Sequence, residues 1–497
     1  MSLGQRAVMA AVLTVAFYGL ALLIAAVLLL VPFAEVVWLG RLTITLALAC
    51  VVCAGLVIWS IFPRSAPFNA PGPVLDPARN RRLFAELHGV ARQVGEPMPA
   101  EVYLVPDVNA AVSERGGRLG LGGSRVMVVG LPLLQVLCVS ELRAVLAHEF
   151  GHYYGGDARL AAWVYRTRVA VGRTQDLSRY RDLLHLPFSL YRKLFMRVTN
   201  SISRRQEFAA DALAARTVGA RAMIGALSAV EHATPAFDAY WRSEMVPVLE
   251  AGFRPPLAGG FLSFIHQESV KAAVDEAVRP RLVDAVGDPD GSHPPFAQRV
   301  AALRAFPPGA DYGSEPAAIT LLDGVPELES ALVARLLRPG KQAPQPIAWE
   351  DVGTRVIVPA WKRRVSDTGH VLQGVALTSF PQLVSNAEQL GRSLARAHGA
   401  DSYLSRDNAK KIGTSSLEAA LGLTLIRHGW SVESLPGTPV SLRRNGAAID
   451  CHDVIERIAV GELDDVAWQR WCRAPGIEDA TVGAAEYSGV GAGALRA

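Results

Sequence analysis

The residues best suited to do chemistry close a thirteen-residue stretch, Ser140 to His152, reading S-E-L-R-A-V-L-A-H-E-F-G-H. Its last five are His148, Glu149, Phe150, Gly151 and His152. On a helix, side chains four apart stack on one face, so both imidazoles project together. Two ring nitrogens at that spacing suit one Zn²⁺, with Glu149 beside it to take a proton from a bound water. Ser140 is the predicted N-cap, Glu141 falls in the first turn, and Leu142, Val145, Leu146 and Phe150 recur at apolar helical spacing. Gly155-Gly156 offers a stop. An amphipathic helix with two incidental histidines fits the same pattern, and a third ligand decides between the readings.

Gln206-Glu207-Phe208-Ala209-Ala210-Asp211 opens an alanine-rich helix on which Glu207 and Asp211 share a face at i, i+4. Alone, such a pair is ordinary solvated surface. In order, however, H-E-F-G-H with Asp157 after it, S-R-R-Q-E-F-A-A-D, and G-S-H-P-P at Gly291 to Pro295 together resemble the HtpX-like family of membrane zinc metallopeptidases. That family is of gluzincin type and related to the CAAX prenyl endopeptidases. The resemblance covers roughly Leu75 to Phe306. It implies a zincin-like domain that hydrolyses peptide bonds, with one zinc per chain held by His148, His152 and Glu207 and with Glu149 as general base. Asp211, one turn beyond Glu207, is a candidate to hold a ligand histidine in its tautomer, and Asp157 is a second. A His-Pro motif approaches the site in relatives. His293 is therefore a candidate catalytic residue, binding or gating the metal or supporting the oxyanion; the alternative is a turn histidine holding a helix N-terminus. Asn109-Ala110 matches a family motif near the edge strand that holds extended substrate, although the aromatic residue that often follows is absent.

The elements that must position these residues come next. Asp76 to Val94 reads as a helix with Leu83, Phe84, Leu87 and Val90 inward. Glu101 to Val105 and Arg125 to Val129 read as strands, and the glycines of Gly116 to Gly123 as a hairpin turn, since no G-K-[ST] follows. A helix is expected from Phe296 to Ala305, and helices to Val286 broken at Pro235, Pro247 and Pro255 to Gly260.

Ahead of this domain, Ala7 to Ala34 and Leu42 to Pro63 hold no charged residue, each run longer than the roughly 20 residues a spanning helix needs. They predict a transmembrane hairpin within residues 1–64, with spans at about 7–31 and 42–62 and a loop from Pro32 to Arg41. Arg6 before the first span and Arg64, Arg79, Arg81 and Arg82 after the second place both ends, and the catalytic domain, on the cytoplasmic side of a cell membrane. A mean hydropathy of +0.22 agrees with membrane segments. A net charge of +4 gives no case for nucleic acid, and five scattered cysteines give none for a disulfide framework. Residues 158–203, where relatives often carry more spans, are dense in charge. Within them Pro187 to Ile202 reads as a helix either lying on the membrane or packed on the catalytic domain.

The expected fold is thus α+β: a mostly helical zincin-like domain at 74–306 with a small sheet, a transmembrane hairpin before it and a smaller α/β domain at 318–482 after a linker at Pro307 to Pro316. A small-residue tail, 483–497, follows. In the last third, Glu327 to Leu337 reads as helix and Arg355 to Val358 as strand. Leu423 to Gly429 continues a helix, and Trp430 to Leu435 with Val440 to Arg444 reads as a hairpin. The functional expectation is a membrane-anchored zinc endopeptidase acting on unfolded or membrane-associated proteins in quality control, with peptides and the lipid bilayer as partners. The alternatives are a membrane-anchored scaffold with a vestigial zinc site and a prenyl-protein processing peptidase.

Overall fold

The computed structural model describes residues 3–61, 68–115, 123–152, 193, 200, 203–284, 293–311, 313–337, 342–397 and 404–483. They are mostly helical, with small sheets, and the chain divides into two compact units: Met1–Phe237 with Ala273–Arg338, and Asp238–Ala272 with Pro339–Ala497.

The first unit opens with two apolar helices, α1 (Leu3–Leu39) and α2 (Ile44–Ile61). α1 continues through Pro32 to Leu39, where a loop was expected. The residues after Pro32 are almost all apolar, and the proline removes only its own donor from the ladder. Gly40 then turns the chain at φ 62°, a conformation glycine adopts without strain. Glu35 reaches across the turn, accepting from the Thr43 N–H at 3.2 Å and from its hydroxyl, so α2 starts on a carboxylate. Phe17, Ala21 and Ala25 pack on Ala54, Val57 and Ile61, while Leu22, Leu23, Leu30, Phe33 and Trp38 stay exposed. Val15–Leu39, 25 residues, is long and apolar enough to cross a membrane; the apolar stretch of α2, Ile44–Trp59, is shorter.

α3 (Arg81–Val94) buries Leu83, Phe84, Leu87 and Val90, as its spacing predicted, and ends at Gly95 with φ 80°. β1 (Glu101–Val105), β2 (Ala110–Arg115) and β3 (Ser124–Gly130) form a sheet in the order β1-β3-β2, with β1 parallel and β2 antiparallel to β3. The antiparallel register Arg115↔Ser124 fits the expected hairpin, whose tip at 116–122 lies outside the described residues. Residues 73–75 bond to the outer edge of β1 through Leu104 N–H to Pro73 and Leu75 N–H to Val102. β2 is the other edge of the sheet.

β3 runs through the short α4 (Leu131–Val136) into α5 (Val139–Gly151), the helix of the two histidines. Its N-cap is Cys138, not Ser140. The Glu141 carboxylate reaches back to the Cys138 N–H at 3.0 Å, and the Ser140 N–H, one of the unpaired donors of the first turn, goes to Glu315 at 2.8 Å. α6 covers residues 203–217. α7 (Ala220–Tyr240) runs unbroken through Pro235, because Ala233, Ala236 and Phe237 are buried around it and packing outweighs the lost hydrogen bond. α8 (Glu268–Val283), α9 (Phe296–Leu303) and α10 (Val325–Leu336) follow. The stretch read as a linker is fastened down at two points. Pro307 and Pro308 accept from the N–H groups of Ala220 and Arg221, both at 3.0 Å, and Ala318 N–H donates to Leu137 at 2.7 Å. The first fastening needs two touching glycines, Gly219 at φ 118° and Gly309 at φ 83°.

The second unit joins residues 238–272 to the chain after 339. Phe253–Arg254 pairs in parallel with Gln345–Pro346, and Trp349 donates to Pro256 at 2.9 Å while packing on Tyr240. These contacts put the division elsewhere than the composition break at Pro307 to Pro316. Arg355 to Val358, expected as a strand, instead completes a π-helical turn (Gly353–Ile357) and starts α11 (Val358–Asp367). Val352 and Val356, buried one turn apart, show the helical burial that a four-residue window cannot reveal. α12 (Ala387–Ala397), α13 (Arg406–Arg427), α14 (Cys451–Ala459) and α15 (Asp465–Arg473) surround a core that includes Phe380, Trp430 and Trp468. The expected hairpin is β4 (Ser431–Glu433) with β5 (Ser441–Arg444), and β6 (Ala447–Asp450) adds a third antiparallel strand.

Candidate active site

α5 and α6 bring the predicted residues together. His148 Nε2 lies 3.2 Å from His152 Nε2 and 3.5 Å from Glu207 Oε2, and His152 Nε2 lies 3.7 Å from Glu207 Oε1. A tetrahedral zinc with bonds of 2.0–2.1 Å sets its ligand atoms about 3.3 Å apart, so the triangle is of the right size. Glu207 Oε2 is buried and accepts no hydrogen bond among the described residues. A buried carboxylate oxygen so placed is costly unless a cation completes its coordination. The donor set of two imidazoles and a carboxylate fits zinc.

Close approach of the two helices depends on Gly151. A Cβ there would sit 3.0 Å from the Ala210 Cα and 3.2 Å from its Cβ. The glycine inside H-E-F-G-H thus lets α5 lie against the alanine face of α6. α5 is fixed on its other side by Arg143, which donates to both oxygens of Glu86 on α3 at 2.6 and 2.9 Å.

Asp211 lies beside His148. Its Oδ1 lies 3.0 Å from His148 Nδ1, behind the ring nitrogen that faces Glu207. Both Asp211 oxygens also accept from Arg299 of α9, at 2.7 and 2.8 Å. Arg299 Nη2 is 3.6 Å from Glu207 as well. His293, just before α9, places Nδ1 3.1 Å from Glu207 Oε1. The H-P-P segment therefore does reach the site. Asp157 lies outside the described residues, as does most of Pro187 to Ile202.

The charges balance locally. Burial alone would raise the Glu207 carboxyl, but His148 and His293 beside it hold it well below the usual range. Burial would likewise raise Asp211, and Arg299 and His148 lower it. Burial would lower His148, and the carboxylates of Asp211 and Glu207 instead push it up to about 9. His152 is pushed down to about 4 by burial and by His148. Glu149 is pushed up to about 7, first by burial and then by Glu207, against the pull of His148 and a hydrogen bond from the Val112 backbone. That last contact ties Glu149 to β2, the sheet edge nearest the site.

Sequence reading missed Arg299. No sequence signal marked it: its place in the first half of α9, where the helix dipole disfavours a cation, gains meaning only once its burial is seen. A buried arginine there calls for acidic partners, and Asp211 and Glu207 are those partners.

Comparison with known proteins agrees with this arrangement. Residues 77–306 match the profile of peptidase family M48. Among curated proteins, the protease HtpX of Yersinia enterocolitica is 26% identical over 261 residues, covering 47% of this chain and 76% of that protein. The protease HtpX of Yersinia pestis matches with the same identity and coverage. No solved structure matches. The metal-site geometry and this match agree: over residues 77–306 the chain is similar to peptidase family M48 and to the HtpX proteases.

Proposed function

We propose that the chain is a membrane-anchored zinc endopeptidase that cleaves unfolded or membrane-associated proteins, in the manner of a quality-control protease. The observation that carries this reading is the convergence of His148, His152 and Glu207 from two helices. A zinc ion bound there would polarise the scissile carbonyl and acidify a water. Glu149 takes the water proton and returns it to the leaving amine. Asp211 keeps the His148 ring oriented so that Nε2 faces the ion, and Arg299 keeps Asp211 ionised. The β2 edge offers backbone groups to an extended peptide beside Glu149. His293 stands where it can donate to a developing oxyanion.

Anchoring rests on α1, whose 25-residue stretch Val15–Leu39 spans about 38 Å as a helix, more than the ~30 Å hydrocarbon core. With α2 packed back against it and arginines following, the catalytic unit would lie on the cytoplasmic side.

Two substitutions separate an enzyme from a scaffold with a vestigial site. Glu149→Gln should keep about one zinc per chain and lose cleavage of an unfolded protein by ~10²–10⁴. Glu207→Gln should lose the zinc itself. Equal cleavage by wild type and Glu149→Gln, or a wild type without zinc, would sink the hydrolase reading.

A further inference from the structure

Residues 68–75, which lead from the apolar helices to the catalytic domain, are seated on the first sheet. Phe68 follows the end of α2 at Ile61 by seven residues. Its ring lies 5.7 Å from that of Tyr103 on β1 and under the Arg115 guanidinium of β2 at 4.9 Å. The Ala70 carbonyl accepts from Arg335 of α10 at 3.3 Å. A Cβ on Gly72 would stand 1.7 Å from the Leu104 carbonyl oxygen, so only glycine fits there. Val74 then bridges Tyr103, and the hydrogen bonds at Pro73 and Leu75 complete the seat on β1. α10, which closes over this segment, lies outside the span matched to the peptidase family.

The seat limits how far the active site can stand from α2. Seven residues reach at most about 25 Å, even fully extended. β2 lies two strand spacings beyond β1, and a peptide on its outer edge one more, ~14 Å in all. Val112, whose backbone bonds Glu149, stands three residues along β2 from Arg115, a further ~10 Å at right angles. A bond to be cut therefore stays within about 40 Å of Ile61. Were residues 68–75 unseated, their seven additional steps would raise that limit by about 25 Å.

We propose that the seated segment is a specificity determinant that confines cleavage of membrane proteins to segments within about 40 Å of the bilayer face. The inference rests on the anchoring and peptidase readings above, under which α2 leaves the bilayer near Ile61. The substrate class is then a membrane-anchored chain with an unfolded stretch next to its span. About a dozen extended residues cover the height. A segment carried higher on a rigid stalk is out of reach, whatever its sequence.

The full chain in phosphatidylcholine vesicles, with two membrane-anchored substrates facing the same side, tests this. Both carry one unfolded cleavable sequence. One joins it to the span by about 12 flexible residues, the other by a continuous Glu-Ala-Ala-Ala-Lys helix of about 40 residues, ~60 Å tall. Wild type should cut the near site at least roughly tenfold faster than the far one. About 20 Gly/Ser residues inserted between Ser65 and Ala66 add ~25 Å of average reach and should bring the two rates within about twofold. Gly72→Val, which unseats the segment, should move the ratio the same way. Neither change should alter cleavage of a soluble unfolded peptide, which separates reach from catalysis. The insertion leaves the seated residues untouched, so it decides the matter even where Gly72→Val does not fold. Equal cutting of both sites by wild type, or a ratio that the insertion leaves unchanged, overturns this proposal alone. A wild type that cuts no soluble peptide overturns the peptidase reading, and one that leaves the vesicles overturns the anchoring; the proposal falls with either.

Discussion

The two units bury polar side chains in opposite ways. In the second, the buried hydroxyls of Thr368, Ser416 and Thr424 each donate to a carbonyl one turn back in their own helix. In the first, His148, Glu207 and Asp211 are buried with Arg299 against them, and the four come from three helices. A hydroxyl bonded to its own helix is satisfied wherever that helix goes. A cluster assembled from three helices is satisfied only if all of them hold their places, and Glu207 Oε2 still accepts no hydrogen bond among the described residues. The second unit is therefore arranged for packing and the first for holding a charge.

The largest effect expected from this contrast lies in the packing unit. Trp468 is fully buried, donates to Leu377 at 2.7 Å and stacks on Trp471 with ring centroids 4.9 Å apart. Trp468→Ala should cost about 3–5 kcal/mol of the second unit's stability in urea unfolding. A smaller cost, below about 1 kcal/mol, would mean that this core is loosely packed and that the contrast is overdrawn.

Next comes Asp211→Asn. The shape is kept, but the carboxylate shared by His148 and Arg299 is lost, and zinc affinity should fall 10–100-fold by chelator competition. Measurement on protein with a native circular dichroism spectrum separates this from unfolding, since the change leaves Arg299 under-compensated. Unchanged affinity would make Asp211 a structural anchor for α9 alone.

The smallest effect sharpens the comparison from the other side. Ser416→Ala removes a buried hydroxyl and leaves its carbonyl partner in the helix ladder, so the loss should stay below about 1 kcal/mol. A loss as large as that of Trp468→Ala would show that polar burial in the second unit is not merely local.

What the sequence made legible follows the same division between local and convergent. H-E-F-G-H announced its own geometry, because i, i+4 on a helix is fixed by the backbone. Glu207 and Asp211 share one face of one helix for the same reason, but it was the resemblance, not the spacing, that singled them out as site residues. The strands of the first sheet and the β4–β5 hairpin carried period-two or turn signals. Asn445-Gly446, with φ 51° and 84°, is a hairpin signal that marks β6, which the reading passed over. Arg299 was illegible as a site residue until α9 was seen against α6, since nothing near it in sequence is acidic. The Cys138 cap is made by Glu141 three residues on, whereas the Ser140 N–H goes to Glu315, 175 residues away, a partner no local pattern reveals. Pro235 and Arg355 to Val358 misled because a local breaker or a short β-branched run is outvoted by burial that no window contains.

Composition marks Pro307 to Pro316 as the natural place to cut, tag or lengthen this chain. The fastenings at both of its ends reverse that advice. Gly309 is seated against Gly219 and Glu315 holds the first turn of the histidine helix, so the ten residues work as a strap of set length. An inserted affinity tag would slacken the strap and a deletion would pull one end free, and either would be felt at α5 rather than in a loop. A cut after Leu337 would spare the strap and α10, yet it would still divide the second unit, because Phe253–Arg254 pairs with Gln345–Pro346 and Trp349 donates to Pro256.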